Sequence, residues 1–516
     1  MRSSFLSTET ILLTPGEMNR ADALTIDAGT PGIDLMERAG QAIADTVESL
    51  GPQTGGSVLV CCGGGNNGGD GYVVARLLKE TGWSVTLCTS VEPAKLKGDA
   101  ALAAKAWTGD VLTPDQIAPE AYGVVIDALL GAGLDRDVTG PLADLIGAIN
   151  NARQNHGAKV IAVDLPSGID GGTGLCRGIA VEADITVTFY RKKPGHCLFP
   201  GRGHCGKIDV ADIGISDDVL SAVAPSIAEN RPGVFPNPAN LTTHDTHKYK
   251  RGHVMVTSGP MIRTGAARLA AEAALRSGAG LVTVASPLDA LMVHAAHLTA
   301  VMIRQVDEAD ELRRTLADGK CTALVVGPAN GVGEETRARV AVGLMSGLPV
   351  ILDADALTSF EREPDCLFEA CETALTLSDI SEASVVMTPH EGEFRRLFPD
   401  LALRLGSKGR VDCVREAAER ASAVIVLKGP DTVIAAPDGR TAINTNAPRW
   451  LATAGSGDVL AGIIAGVAAQ GLSVFEAACA GVWLHGEAGN EASCGLTAED
   501  LARAVSTIMR RLSDDG

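Results

Sequence analysis

The chain is predicted to be an α/β protein of two domains, and three observations carry that expectation. Strand-like runs alternate with helical ones along all 516 residues, the pattern of largely parallel sheets covered by helices. A Pro/Gly-rich stretch, Asn230-Arg231-Pro232-Gly233-Val234-Phe235-Pro236-Asn237-Pro238, divides the chain near its middle, and a fresh strand, His253-Val254-Met255-Val256-Thr257, follows it. Glycine-rich turns stand between a buried strand and a helix in both halves, which is where α/β sheets place their ligands.

In the first half, Ser57-Val58-Leu59-Val60-Cys61-Cys62 reads as a buried strand that feeds Gly63-Gly64-Gly65-Asn66-Asn67-Gly68-Gly69-Asp70-Gly71, with a helix expected from about Tyr72. Gly63-x-Gly65-x-x-Gly68 matches the dinucleotide fingerprint in form. The acidic residue that would bind a ribose about 20 residues further on is missing, since Val85-Thr86-Leu87-Cys88-Thr89-Ser90 ends without one. Two asparagines and an aspartate sit in the turn instead and offer hard oxygen ligands and amide donors. The strands Val124–Asp127 and Val160–Val163 also end in polar segments, Leu130-Gly131-Ala132-Gly133-Leu134-Asp135 and Asp164-Leu165-Pro166-Ser167-Gly168, so one crevice should collect all three endings. Any single Asp there is more simply a helix cap or Asx turn.

In the second half, Thr264-Gly265-Ala266 opens an alanine-rich helix through Arg276, and Leu281–Ala285 returns as a strand. Thr388-Pro389-His390-Glu391 reads as a helix start with Thr388 as N-cap and Pro389 at the first helical position. Phe394, Leu397 and Phe398 supply its apolar stripe. Val424–Leu427 is a strand that ends in Lys428-Gly429-Pro430-Asp431-Thr432. Ala454-Gly455-Ser456-Gly457-Asp458-Val459 crowds glycines around one aspartate before an apolar helix. Backbone N–H groups and the helix N-terminus would make an anion hole there, with Asp458 placed as base or charge partner; the plainer alternative is a glycine-rich turn that caps a buried helix. The apolar stretch Val459–Trp483 is interrupted by Gln470, Gly471, Ser473 and Glu476, the signature of two buried helices rather than a membrane span.

A net charge of −19 argues against nucleic acid or an anionic membrane surface as partner. The basic islands Tyr190–Lys193 and His247–Arg251 could serve an anionic small ligand. Twelve cysteines without C-x-x-C or zinc spacing suggest reduced, packed thiols, and the N-terminus shows no secretory or transit pattern, so a cytoplasmic protein is expected.

Taken in order, these motifs resemble the family of bifunctional NAD(P)H-hydrate repair enzymes. The resemblance rests on Leu35-Met36-Glu37-Arg38-Ala39-Gly40, Asn66–Gly71, Gly131–Leu134 and Asp164–Gly168 in the first half. In the second it rests on His247-Lys248-Tyr249, Thr264–Ala266, Asp353–Leu357, Thr388–Glu393, Lys428-Gly429 and Gly455–Asp458. It implies a Rossmann-like three-layer α/β/α epimerase domain, residues 1–228, and a ribokinase-like dehydratase domain, residues 229–516. The first would interconvert the R and S 6-hydroxy hydrates of NADH and NADPH. The second would phosphorylate the 6-hydroxyl of the S form from ADP or ATP and expel phosphate.

Carried over residue by residue, the resemblance puts potassium on Asn67, Asp127 and Ser167. It places the epimerase substrate on Asn66, Asn67, Gly68, Gly69, Asp70, Gly131, Ala132, Gly133, Leu134, Asp135, Arg136, Asp137 and Asp164, with Asp164 as acid/base and Lys193 as a phosphate partner or assistant. In the dehydratase it puts the hydrate on Ala266, Gly327, His390 and Asp458, the nucleotide on Lys428, Gly429, Pro430, Asp431, Thr432 and Gly457, and the proton-accepting role on Asp458, with magnesium sharing the phosphoryl charge. ADP is the expected donor. Two runs depart from the family, Thr257-Ser258-Gly259-Pro260 and Asn446–Trp450. Partners are small molecules and a homo-oligomer is expected. The competing reading is a ribokinase-type small-molecule kinase fused to a non-catalytic Rossmann-like binding module.

Overall fold

The computed structural model describes residues 7–51, 56–134, 136–241, 247–377 and 382–514. Two compact units result, one spanning residues 11–227 and the other residues 228 onward together with the segment that ends at Thr10. Residues 7–10 join the second unit because the Glu229 amide donates to the Thr10 carbonyl at 2.8 Å.

The first unit is built on a seven-stranded sheet. Its strands are β1 (Ser57–Cys62), β2 (Ser84–Thr89), β3 (Val111–Leu112), β4 (Val124–Ala128), β5 (Lys159–Val163), β6 (Ile185–Phe189) and β7 (Lys207–Ala211), in the order β3-β2-β1-β4-β5-β6-β7. Every pairing is parallel. The order reverses at β1, so the ends of β1 and β4 border the crevice of a doubly wound sheet. Strands buried on both faces need continuous apolar runs, and Val58–Cys62 and Val124–Ile126 are all fully buried. Helices α1 (Pro15–Asp27), α2 (Gly32–Ser49) and α3 (Asn66–Glu80) frame the crevice. Thr14 and Glu17 close a capping box at the start of α1.

Helix α3 begins at Asn66, six residues before the expected start at Tyr72. Asparagine and glycine are weak helix formers, which hid this turn in the sequence. Packing overrides propensity here: a Cβ on Gly68 would stand 2.1 Å from the Gly63 carbonyl oxygen. The first helical turn is thus pressed onto the strand-to-helix turn, and only glycine fits.

In the second unit, β8 (His253–Thr257), β9 (Leu281–Ser286), β10 (Met302–Gln305), β11 (Ala323–Val326), β12 (Val350–Leu352), β13 (Val385–Met387) and β14 (Val424–Leu427) pair in parallel in the order β14-β13-β12-β11-β8-β9-β10. Beyond β14, the strands β15 (Val433–Ala435) and β16 (Thr441–Ile443) add antiparallel pairs. Helix α4 (Thr264–Arg276) packs against α6 (Ser456–Ala468), and α7 (Val474–Ala492) packs on α6 in turn, while α5 (Glu391–Leu397) follows β13. The interrupted apolar stretch is therefore two buried helices, α6 and α7. Among the described residues no helix is long and apolar enough to cross a membrane.

Candidate functional site

In the first unit a cleft of about 540 Å³ opens where the strand ends converge. Of the expected residues, Asn66, Asn67, Asp70, Gly131, Ala132, Gly133, Leu134, Arg136 and Asp164 line it. Gly68 and Gly69 lie within α3 as packing positions, Asp137 is not among the lining residues, and Asp135 lies outside the described residues.

Asp127 and Ser167 sit beneath the cleft, both buried. The Ser167 hydroxyl donates to one Asp127 carboxylate oxygen at 2.5 Å and the Ser167 amide to the other at 2.8 Å. The Leu130 amide donates back to the Ser167 hydroxyl at 2.8 Å. Burial pushes the Asp127 carboxyl up to about 6 against these donors. Asn67 flanks the neighbouring Gly131, where a Cβ would stand 3.7 Å from the Asn67 amide oxygen, and its Nδ2 is buried without a hydrogen-bond partner. A buried carboxylate, a hydroxyl and the Asn67 amide oxygen make a hard-oxygen donor set of the kind a potassium ion accepts.

Asp164 follows β5 with a left-handed backbone, φ 63°. Its carboxylate accepts from Lys193 Nζ at 2.6 Å and Thr188 Oγ1 at 2.8 Å, and its carbonyl lies 2.8 Å from His196 Nε2. Burial disfavours the ionised carboxylate, but the Lys193 ammonium, His196 and the two hydrogen bonds outweigh it and hold Asp164 below the usual range. Asp70 stands the other way: burial, then the charges of Asp164 and Asp22, push it well above that range against the pull of Lys193. Asp22 of α1 also lines the cleft, and burial raises it to about 6, with Lys193 opposing and Asp164 reinforcing. The sequence reading missed Asp22, Thr188 and His196. The α1 face Pro15, Met18, Asn19, Asp22, Ile26 has helical spacing, and an acid on that stripe is the signal that would have singled out Asp22.

In the second unit the C-terminal ends of β12, β13 and β14 bring Asp353, Thr388 and Lys428 together. Lys428 Nζ lies 2.7 Å from Asp353 Oδ1, and Thr388 Oγ1 donates to the same oxygen at 2.8 Å. Lys428 is held ionised: burial alone would lower its pKa, but the charges of Asp353 and Glu393 outweigh that and raise it. Gly455 carries φ 84° and starts α6, whose third residue is Asp458. A Cβ on Gly457 would lie 3.3 Å from Lys428 Nζ, so the turn and the ammonium share one space. Asp458 is pushed up to about 7 by burial and by Asp353, with Lys428 opposing and Asp355 adding. The Ser456 hydroxyl is 3.0 Å from Nε2 of the buried His485, another residue without a sequence signal.

Thr388 does not cap α5. His390 is the N-cap: its Nδ1 accepts from the Gly392 and Glu393 amides at 2.9 and 3.3 Å, and Glu393 accepts from the His390 amide at 2.8 Å. The Thr388 hydroxyl is spent on Asp353, so the capping box shifts two residues on. An accepting Nδ1 leaves the ring proton on Nε2, which lies 3.5 Å from Glu393 Oε1. Gly327 follows β11 with φ 127° beside the Asp353 carbonyl, and Ala266 lies in the first turn of α4. The Gly429 amide donates to Thr432 Oγ1 at 3.2 Å, folding the expected nucleotide segment into a tight turn, and Arg410 braces it through the Lys428 carbonyl at 2.9 Å. In the departing runs, Ser258 Oγ lies 2.9 Å from His294 Nε2, and Asn446 donates to the Trp483 carbonyl.

Residues 254–511 match the family model described as NAD(P)H-hydrate dehydratase, and residues 32–195 match that of the YjeF-related protein N-terminus. The bifunctional NAD(P)H-hydrate repair enzyme Nnr of Coxiella burnetii is 35% identical, over 95% of this chain and 98% of its own. The chain belongs to the family of bifunctional NAD(P)H-hydrate repair enzymes. Other relatives of this repair enzyme agree along nearly the whole length: Nnr of Moorella thermoacetica is 34% identical over 98% of this chain and 97% of its own, and Nnr of Escherichia coli 33% over 96% and 92%. A solved ADP/ATP-dependent NAD(P)H-hydrate dehydratase of Bacillus subtilis is 28% identical over 54% of this chain and 96% of its own, with a TM-score of 0.45. The repair enzyme is thus a two-domain catalyst, with a Rossmann-like epimerase part and a ribokinase-like dehydratase part. The kinase-plus-binding-module alternative is not favoured.

Proposed function

We propose that residues 1–228 interconvert the R and S hydrates of NADH and NADPH, and that residues 229–516 dehydrate the S form with ADP or ATP as phosphoryl donor. The observation that carries the reading is the pairing of two differently tuned carboxylate centres with two separate strand-end sites: Asp164 held ionised by Lys193, and Asp458 raised to about 7 beside Lys428.

In the first site Asp164 acts as the acid/base for proton transfers around C6, held in place by Thr188, Lys193 and His196. A potassium ion on Asn67, Asp127 and Ser167 would supply a fixed positive charge that keeps Asp127 ionised and the Gly131 and Asp164 segments in register. In the second site Asp458 takes the proton of the 6-hydroxyl as its oxygen attacks the terminal phosphorus, and AMP leaves when ADP is the donor. Phosphate then departs from C6 as the ring nitrogen lone pair moves in, and the departing phosphate takes a C5 proton, which restores the C5–C6 double bond. The α6 N-terminus and Lys428 stabilise the charge on the transferred group. Asp353 and Asp458, two carboxylates whose charges act on each other and on Lys428, would hold a magnesium ion that arrives with the phosphates and would neutralise phosphoryl charge.

The test supplies purified S hydrate and mixed epimers, each with ADP, ATP or no nucleotide, and follows reduced-nicotinamide absorbance and free phosphate. Nucleotide-dependent recovery of both epimers with phosphate released in step is expected. A stable phosphorylated product would sink the dehydratase reading.

A further inference from the structure

We infer that Asp22 is the second acid–base group of the epimerase, exchanging a proton with the ring nitrogen N1 while Asp164 exchanges one with the 6-hydroxyl. The inference rests on the epimerase reading above. Its basis is geometric. Helix α1 turns one face to the cleft, Pro15, Met18, Asn19, Asp22 and Ile26, and Asp22 is the only ionisable group on that face. Its carboxyl has no hydrogen bond or ion pair among the described residues, although it is half-buried in the same cleft as the Asp164–Lys193 pair. Thr188 and Lys193 both donate to Asp164 Oδ1, so among the described residues Asp164 Oδ2 and the Asp22 carboxyl are the two acid–base positions left to a substrate by this pair of side chains.

Epimerising a carbon that carries both a hydroxyl and a ring nitrogen by opening the C6–N1 bond moves protons at two atoms, the 6-hydroxyl oxygen and N1. Asp164 removes the 6-hydroxyl proton, the O–H electron pair becomes the second bond of a C6 aldehyde, and the C6–N1 bond breaks with its electron pair passing to N1, which takes the proton of Asp22. Rotation about C5–C6 presents the other aldehyde face. N1 then attacks, returning its proton to Asp22, while the oxygen recovers its proton from Asp164. Nothing is gained or lost, so no co-reactant is needed.

The groups facing Asp22 are Lys193, Asp164 and Asp70, and together with burial they leave its carboxyl near 6, where a proton is both given and retaken readily. Asp70 also lines the cleft, and burial, then the charges of Asp164 and Asp22, push its carboxyl well above the usual range against the pull of Lys193, which suits hydrogen-bond donation to bound substrate.

The experiment uses the full chain and purified R hydrate, measuring conversion to S against pH for the unaltered chain, Asp22→Asn and Asp22→Glu, with melting temperature and S-hydrate dehydration recorded on each preparation. Asp22→Asn should lower kcat for epimerisation by about 100-fold or more, leave KM within about threefold, and remove the loss of rate at rising pH that the unaltered chain shows as Asp22 ionises. Asp22→Glu should keep at least about a tenth of the rate. A rate for Asp22→Asn within threefold of the unaltered chain, an unchanged alkaline limb, or equal loss in both variants would overturn the assignment. No conversion by the unaltered chain above the spontaneous rate would instead remove the epimerase reading itself.

Discussion

At the scale of single residues, the dehydratase chemistry turns on how Asp458 is tuned. Its raised carboxyl pKa, about 7, comes from burial and the neighbouring Asp353, with Lys428 pulling the other way. A base works only when ionised, so dehydration should rise with pH through about 7. In Asp353→Asn the negative neighbour that raises Asp458 is gone, while Glu393 and Asp458 still face the Lys428 ammonium; the lost repulsion favours the ionised form of Asp458. The rising limb should therefore move to lower pH, which a kcat profile at saturating S hydrate and ADP reads directly. A limb that stays in place or moves up would show that Asp353 does not set the Asp458 charge. The motifs around Asp458, Asp164, Lys428 and Asp127 were legible in the sequence because each follows a buried strand and a turn signal. Thr188 and His485 were not, because each acts on a residue elsewhere in the chain and no local pattern marks such a partner, while Asp22 carried only the helical spacing of its α1 face.

At the scale of elements, two misreadings share one cause. Propensity placed the start of α3 at Tyr72 and the cap of α5 at Thr388, and tertiary partners decided otherwise, a carbonyl of Gly63 pressed on Gly68 in one case and the Asp353 carboxylate in the other. The long apolar run shows the reverse, a pattern that named both helices correctly. Within it α6 lies so close to α4 that a Cβ on Gly462 would stand 2.1 Å from the Ala270 carbonyl oxygen and 2.7 Å from its carbon. Helix propensity favours alanine over glycine by about 1 kcal/mol, but the obstruction is backbone and cannot swing aside. Overpacking costs about 1–3 kcal/mol, so Gly462→Ala should lower stability by about 1–2 kcal/mol in urea unfolding monitored on the dehydratase domain. It should also reduce dehydration, because α6 carries Asp458 on its first turn. A stabilised protein would mean that α4 and α6 separate freely.

At the scale of the whole molecule, each unit owns a sheet and a set of catalytic strand ends, and the expected site residues sort between them without remainder. Asp127, at the end of β4, belongs to the epimerase alone, and Asp458 to the dehydratase alone. Removing the Asp127 carboxylate leaves the Ser167 and Leu129 amides without the acceptor they share, while Ser167 Oγ keeps the Leu130 carbonyl at 3.2 Å, and it takes the only charged ligand from the potassium set. Each stranded buried donor costs about 1–3 kcal/mol, a loss confined to the first unit. Asp127→Ala should thus slow epimerisation at least about tenfold and abolish its response to added potassium chloride relative to matched sodium chloride, while S-hydrate dehydration stays within about twofold. Asp458→Ala should do the opposite, ending dehydration and leaving R-to-S conversion intact. Mixing the two variants should then restore complete repair of mixed epimers, because S hydrate released by one chain is substrate for the other. Failure of the mixture, with each variant retaining its single activity, would mean that hydrate passes between the two sites of one chain without release.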